Sequence, residues 1–326
     1  MLRIIIKTGI LLLIECMHLN GEWSKAKYAD AFLMNPLGSR AAAMGGAFTA
    51  VASDVSAIYW NPAGLVHISC AQLTGMHSER FAGMVNMDFI AGSIPVQEKA
   101  AMGIGYFRLG TDNIPKTRLE NMNQPLSPEN RPYVEKYLQD QESALFFSYS
   151  KILSSNLYWG TSIKVISRSM GDYYSWGLGF DGGILYFPTE ALRLGASLKN
   201  ATGTILAWRH GKKEYILPQL NIGIAYSIIY KQYDILPTVD LLNLFYQDSD
   251  ACFQLGNWSS YMHAGLEIKY MKRLHLRIGS FRGQLTAGAG FQIAFTQVDY
   301  CYSRHTDLGD SHLISLTLQK SRTDQP

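Results

Sequence analysis

The residues in this chain that could do chemistry form one group near the C-terminus. His263 and Glu267 are followed by His275 and Arg277, all within a 15-residue span. An imidazole near a carboxylate is the starting material of a proton relay or a metal site. The local pattern favours another reading. Met262, Ala264, Leu266, Ile268 and Tyr270 alternate with Tyr261, His263, Gly265, Glu267 and Lys269, and Leu274, Leu276 and Ile278 alternate with His275, Arg277 and Gly279. Period-two alternation is that of a strand, so the ionisable residues share the polar face of two neighbouring strands. Opposed charges on one face neutralise each other, and a structural network is the plainer reading of the cluster. Lys164, Arg168, Arg193 and Lys199 occupy similar polar positions elsewhere. They would repel one another unless carboxylates such as Asp54 answered them.

No other chemistry-bearing motif is present. The sequence lacks a nucleophile elbow, a phosphate loop and a helical pair of histidines. Cys16, Cys70, Cys252 and Cys301 show neither metal-ligand spacing nor a CxxC pair, and free or buried thiols are their plainer reading. Neither an enzyme, a metal nor a cofactor is expected. A formal charge of +3, with scattered basic residues, gives no footprint for nucleic acid. Lys212 and Lys213 read as a solvated loop.

The elements that must position the polar faces are strands. Apolar residues make up 47% of the chain, yet the mean hydropathy is -0.02. No run of 18 apolar residues follows the N-terminus, which argues against helical spans. Alternation predicts fourteen strands, near 67–76, 83–94, 99–108, 142–151, 156–170, 173–187, 191–201, 218–230, 232–243, 260–271, 273–281, 284–295, 296–303 and 311–319. A soluble sandwich would show the same alternation with its apolar side inward. The connections discriminate. Those after even-numbered strands are tight, while the long ones, at 109–141, 202–217, 244–259 and 304–310, all follow odd-numbered strands. An even strand number with long loops on one side fits an antiparallel transmembrane β-barrel, apolar faces toward lipid and polar faces toward the lumen. A short helix over 129–139 is expected in the longest loop, after Pro128. The loop aromatics Trp208, Tyr215, Phe253 and Trp258 suit either the interfacial belt or contact with a partner. Gly177, Gly179, Gly182 and Gly183 mark a bend in the sixth strand, or a place where other chain comes close to the wall.

Residues 1–25 read as a secretory leader, with Arg3 and Lys7 ahead of the apolar run 9–14. The segment 26–66 precedes the barrel, which is expected over 67–319, and 320–326 forms a polar tail. Ser39 can cap a helix through Met44, the pair Gly45-Gly46 interrupts it, and Ser53-Asp54 precede a second helix to Trp60. Asn61-Pro62 then ends it, because the residue before proline resists helical dihedrals. The Asn61 amide is placed to satisfy backbone groups where this segment meets the first strand.

The run Gly38, Arg40, Ala41, Ala43, Met44 to Phe48, Ala50, Asp54, Ala57 and Asn61 to Leu65 resembles the opening of the PorV/PorQ family of outer-membrane barrels. That group is similar to the FadL-type long-chain fatty-acid transporters. Val298-Asp299-Tyr300 and Asp307 to Leu313 are similar to the family's closing strands, with Leu313 where arginine often stands, and 193–197 to its middle. The resemblance implies a 14-stranded barrel in a Gram-negative-type outer membrane whose N-terminal segment sits in the lumen as a plug, or hatch. Arg40, Gly45, Gly46, Asp54, Asn61, Pro62 and Gly64 would be its key residues. It also implies a scaffold or cargo-interaction role in type IX-like secretion, with secretion components or exported cargo as partners. The alternative is FadL-like passive transport of hydrophobic compounds, with a fatty-acid-like ligand.

Overall fold

A computed structural model describes residues 31–81, 83–305 and 308–320. The expected leader and all but Lys320 of the tail lie outside these. Among the described residues no helix is long and apolar enough to cross a membrane; the chain crosses with strands. Among the described residues these are β1 (Gln72–Arg80), β2 (Val85–Gln97), β3 (Ala100–Leu119), β4 (Pro132–Ser154), β5 (Leu157–Met170) and β6 (Tyr173–Tyr186). The seventh, β7, is built from Leu192–Lys199 and Thr204–Trp208, and β8 from Lys213–Ile216, Gln219–Tyr226 and Ile228–Tyr230. The circuit continues through β9 (Tyr233–Leu244), β10 (Trp258–Tyr270), β11 (Leu274–Phe281), β12 (Gln284–Ile293), β13 (Thr296–His305) and β14 (Gly309–Gln319). Each strand pairs antiparallel with its sequence neighbour. The ladder closes where β14 meets β1, from Gln72 opposite Gln319 to Arg80 opposite Ser311. Closure leaves no sheet edge within the bilayer, which cannot hydrate one.

Side-chain burial is the inverse of a soluble protein's. On β8, inward Asn221 is 4% exposed and its outward neighbour Ile222 is 48% exposed. Outward Val239, Leu241, Met262, Leu276, Ile278, Ile314 and Leu316 continue the apolar surface around the wall. At the tight-turn end it meets Tyr186, Tyr226, Tyr230, Tyr233 and Phe295, an aromatic girdle at a membrane interface. The chain is therefore a transmembrane barrel of the outer-membrane type, with tight turns toward the periplasm and long loops outside.

The structure corrects three sequence expectations. First, β1 begins at Gln72, because Pro62–His67 continues as a 3-10 helix with proline in its first turn. Second, most of 109–141 is strand. β3 and β4 run past the barrel rim and stay paired out to Leu119 opposite Pro132, so the connection is only 120–131. The helix expected at 129–139 does not form. Tyr133, Val134 and Tyr137 favour extended backbone, and Pro115 is accommodated between two bulges. Third, the 202–217 loop is largely a hairpin, Thr204 to Ala207 pairing with Ile216 to Lys213. Loop asymmetry persists in 120–131 and 245–257, the latter ending in a short strand, Phe253–Leu255, folded back on Trp258–Ser260, but the outer side is dominated by strands that extend past the barrel rim.

Candidate functional site

The N-terminal segment fills the barrel. A 3-10 turn (Ala31–Met34) leads to α1 (Ser39–Ala43), then α2 (Ala57–Trp60), then the 3-10 helix Pro62–His67. Ala41, Ala43, Met44, Phe48, Ala57 and Ile58 have no exposure at all. Small residues on both partners allow this fit. A Cβ at wall Gly279 would stand 2.2 Å from the Gly45 nitrogen, and one at Gly183 would stand 2.0 Å from Asn61 Oδ1. Gly183 thus lets the plug approach the wall. Gly45 and Gly46 turn the chain after α1 at φ of 63° and 71°, against Ser280 and Phe281. Gly64 abuts the Ala52 carbonyl.

Polar contacts pin this segment to three parts of the wall. Arg40 donates from Nε and Nη2 to the two oxygens of Glu267 at 3.0 and 2.9 Å, and from Nη1 to Asp54 at 2.9 Å. Burial works against the Arg40 charge, but the carboxylates of Glu267 and Asp54 overcome it and raise its pKa above the ordinary value. Glu267 also receives Arg277 Nε at 2.7 Å and lies 3.3 Å from Lys269, while Arg277 continues to Asp299 at 2.6 Å and to His275 Nδ1 at 3.0 Å. One chain of charge thus links α1 to β10, β11 and β13. A second pin is Asp240 on β9, whose Oδ2 accepts the backbone N–H groups of Phe48 and Thr49 at 2.9 and 2.7 Å. The sequence reading missed Asp240. Its only signal was a carboxylate on an inward-facing position of β9, next to an otherwise apolar stretch. The third pin is Asn61, which is fully buried. Its Nδ2 donates to the carbonyls of Thr49, Ile184 and Ala196 at 2.9, 3.2 and 3.4 Å, and its Oδ1 accepts from Ala63 N at 3.2 Å. The amide therefore caps the following helix and grips β6 and β7, not the first strand. Pro62 presets that helix's first turn.

The remaining inward basic residues find partners on the wall, except Lys199, which meets the plug. Lys164 meets Asp181 at 2.7 Å, and Arg168 pairs with Glu142. Lys199 lies 3.5 Å above the Tyr59 ring, and Arg193 stands 5.5 Å over Phe187. Among the described residues Asp54 answers Arg40 and none of these four. His263 is buried with its ring 4.7 Å from that of Phe281, while Glu267 is saturated by cations, so the two make no relay. Among the described residues no group of three His, Cys, Asp or Glu side chains is arranged to hold a metal ion. Of the loop aromatics, Trp208 is buried beneath Arg168 and Tyr215 bonds the Thr202 carbonyl at 3.0 Å. Phe253 and Trp258 are exposed and meet edge to face at 6.0 Å.

The lumen is divided by the plug. On the outer side a vestibule of about 610 Å³ is floored by Phe32, Met34 and Pro36 and lined by Phe81, Leu109, Tyr246 and Phe281 together with the charged Arg80, Glu142, Asp248, Asp250 and Arg282. A small pocket of about 10 Å³ lies between Met34 and Tyr59, Lys199 and His263. On the periplasmic side, a polar pocket of about 170 Å³ is lined by Asp54, Gln72, Gln292, Gln297 and Gln319.

This arrangement has solved counterparts. The toluene transporter TodX of Pseudomonas putida superposes with a TM-score of 0.51 at 14% identity, over 85% of this chain and 95% of that one. A FadL homologue of Pseudomonas aeruginosa gives 0.52 at 12% identity, over 87% of this chain and 97% of that one. The fold is that of the FadL and TodX channels. At such identities the likeness establishes architecture alone. A family model described as an uncharacterised protein family, UPF0164, matches residues 18–105, from before the plug into β3. No curated protein matches the sequence.

Proposed function

We propose that this protein is a passive outer-membrane channel for small hydrophobic compounds, with the N-terminal plug as its gate. The observation that carries this reading is the outer vestibule, whose floor is the plug itself. Phe32, Phe81, Leu109 and Phe281 give such a compound apolar surface above the plug, and among the described residues the pocket beside Met34 measures about 10 Å³. Between β2 and β3 the ladder is unbroken from Asn86–Gly110 to Pro95–Ala101, so the wall there offers no bypass. The shared architecture with the toluene transporter and the FadL homologue supports the same reading.

A plug locked to the wall should stop transport. Ser39 and Ser315 place their Oγ atoms 2.8 Å apart, which suits a cross-link between α1 and β14. In a Cys252→Ser background, S39C with S315C is expected to block toluene or oleate uptake when oxidised and restore it when reduced. Undiminished uptake with a quantitatively formed cross-link would refute gating by the plug.

A second reading, a scaffold for secretion components or cargo of the kind implied by the PorV/PorQ resemblance, is favoured by the outer surface. Met122, Leu126 and Tyr137 on the projecting β3–β4 hairpin are each at least 65% exposed. A scaffold would tolerate the same lock with its partner complexes intact, which separates the two readings.

A further inference from the structure

The outer wall carries an apolar groove that transport through the lumen does not use. It has a volume of about 640 Å³ and runs over β2 to β5, lined by Gly92, Ile94, Met102, Ile104, Phe147, Tyr149, Thr161 and Ile163. Register shows how it forms. One cross-strand row reads Leu73, Gly92, Ile104, Phe147, Ile163, and the next row toward the periplasm reads Ile94, Met102, Tyr149, Thr161. Leu73, Ile94, Ile104, Phe147 and Ile163 are 42–52% exposed, so these rows face lipid. Gly92 supplies no side chain in the first row, and the neighbouring strands stand as banks around it. The groove lies in the periplasmic half of the wall, because β2 and β3 turn at 98–99 just below it.

The charge at its lower end is what selects an occupant. The row below Tyr149 places exposed Lys151 between Ala100 and Trp159. Exposed Lys99 follows on the β2–β3 turn, with Glu98 as its acidic neighbour, and the Lys99 carbonyl holds Ile152 N at 2.9 Å, which ties this turn to β4. The Tyr149 and Trp159 rings meet edge to face at 6.1 Å, as residues at a headgroup boundary do. An apolar slot in the membrane core, ending in aromatic rings and two ammonium groups at the interface, matches one class of molecule. We infer that this groove binds an anionic phospholipid of the periplasmic leaflet, an acyl chain lying over Gly92 and the phosphate meeting Lys151 and Lys99.

The test uses the full-length barrel in nanodiscs of phosphatidylglycerol mixed with phosphatidylcholine, with lipid retained during stepwise delipidation counted by native mass spectrometry. Wild-type protein should keep one phosphatidylglycerol after the remaining lipid is stripped. Lys151→Gln should weaken its retention roughly fivefold, since one lysine near an anionic surface contributes about 1 kcal/mol. Gly92→Leu should abolish retention by filling the slot. A Cβ there stands 3.7 Å from the nearest atom, an ordinary contact, so the barrel should fold as before. Equal retention of phosphatidylcholine, or retention unchanged in both variants, would overturn the inference. Should Gly92→Leu fold poorly, Lys99→Gln combined with Lys151→Gln must still lower retention, or the site is refuted. None of the three substitutions touches the plug, so transport stays an independent readout.

Discussion

Glu267 shows at the scale of single residues how the polar lumen is built. It takes Arg40 from the plug and Arg277 from the wall at once, with its own side chain fully buried. A buried ion pair contributes little net stability, but removing one partner strands the other. Glu267→Gln leaves two guanidinium groups without their shared carboxylate, and should cost on the order of 3–5 kcal/mol by urea unfolding in lipid vesicles. Asn61 is sensitive in another way. Asn61→Asp replaces the two N–H donors by a carboxylate facing three carbonyls, a loss of about 1–3 kcal/mol or more for stranded buried groups. Faster amide exchange across 57–67, with wall amides unaffected, would report it. His67 provides the pH dependence. Burial and then the Arg193 charge push its pKa down from an ordinary 6.5 to about 4, and its ring stacks on Phe187 at 5.2 Å. Between those values the unfolded ring binds the proton more readily than the folded one, so anchoring of Pro62–His67 is complete above pH 6.5 and declines as pH falls toward 4. Exchange protection of these amides, corrected for intrinsic rate, should show that slope in the wild type and lack it in His67→Phe.

At the scale of elements, irregular strands are as informative as regular ones. β7 breaks at 200–203, where Asn200 and Gly203 have φ of 52° and 70°. The break lets β6 pair with Leu192–Lys199 below and Thr204–Trp208 above. A Cβ on Gly203 would fall 1.8 Å from the Tyr215 hydroxyl, besides straining a left-handed backbone. Gly203→Ala should therefore free the β7–β8 hairpin and expose 200–216 to limited proteolysis. Gly279 tests the other fit, that of plug to wall. Gly279→Val pushes against the Gly45 nitrogen from inside while leaving the lipid face of β11 unchanged. Loosening the plug in this way should raise permeability in liposome swelling; an unaltered rate would mean that contact at Gly45 does not hold the gate shut.

The whole molecule is organised by its solvent. Ile224 and Val239 pair across β8 and β9, and along β9 Val239 lies between the girdle residue Tyr233 and the polar end at Asn243. Ile224→Arg places a charge in hydrocarbon and should cost about 2–4 kcal/mol, where an arginine near an interface costs at most about 1. A cost below that in vesicle unfolding would place the belt elsewhere on the wall. Inside, the energetics change sign. Around the plug the lumen is a crowded core in which plug and wall share ion pairs, so moving the plug means breaking several contacts together.

The sequence alone determined which residues face which way, because strand alternation is local and every second side chain reports its own environment. It therefore located most of the strands, and the even count with long connections on one side pointed their polar faces inward, while the ends of β1, β3, β4 and β7 came only from the fold. The resemblance at 38–65 supplied the expectation that this segment enters the lumen. Only the tertiary structure decided who meets whom. Arg40 and Glu267 lie 227 residues apart, and β1 joins β14 across the whole barrel, separations at which no local pattern carries information. The same holds for Asp240 under the Phe48 turn and for Asn61 reaching β6 and β7. The overshooting β3–β4 hairpin was hidden for a different reason. Outside the membrane neither of its faces is buried, so the apolar-polar alternation that reveals a strand is lost while its backbone ladder persists. The polar cluster that first suggested chemistry is thus the anchorage of a plug, a role set by which charge the folded wall brings to Arg40.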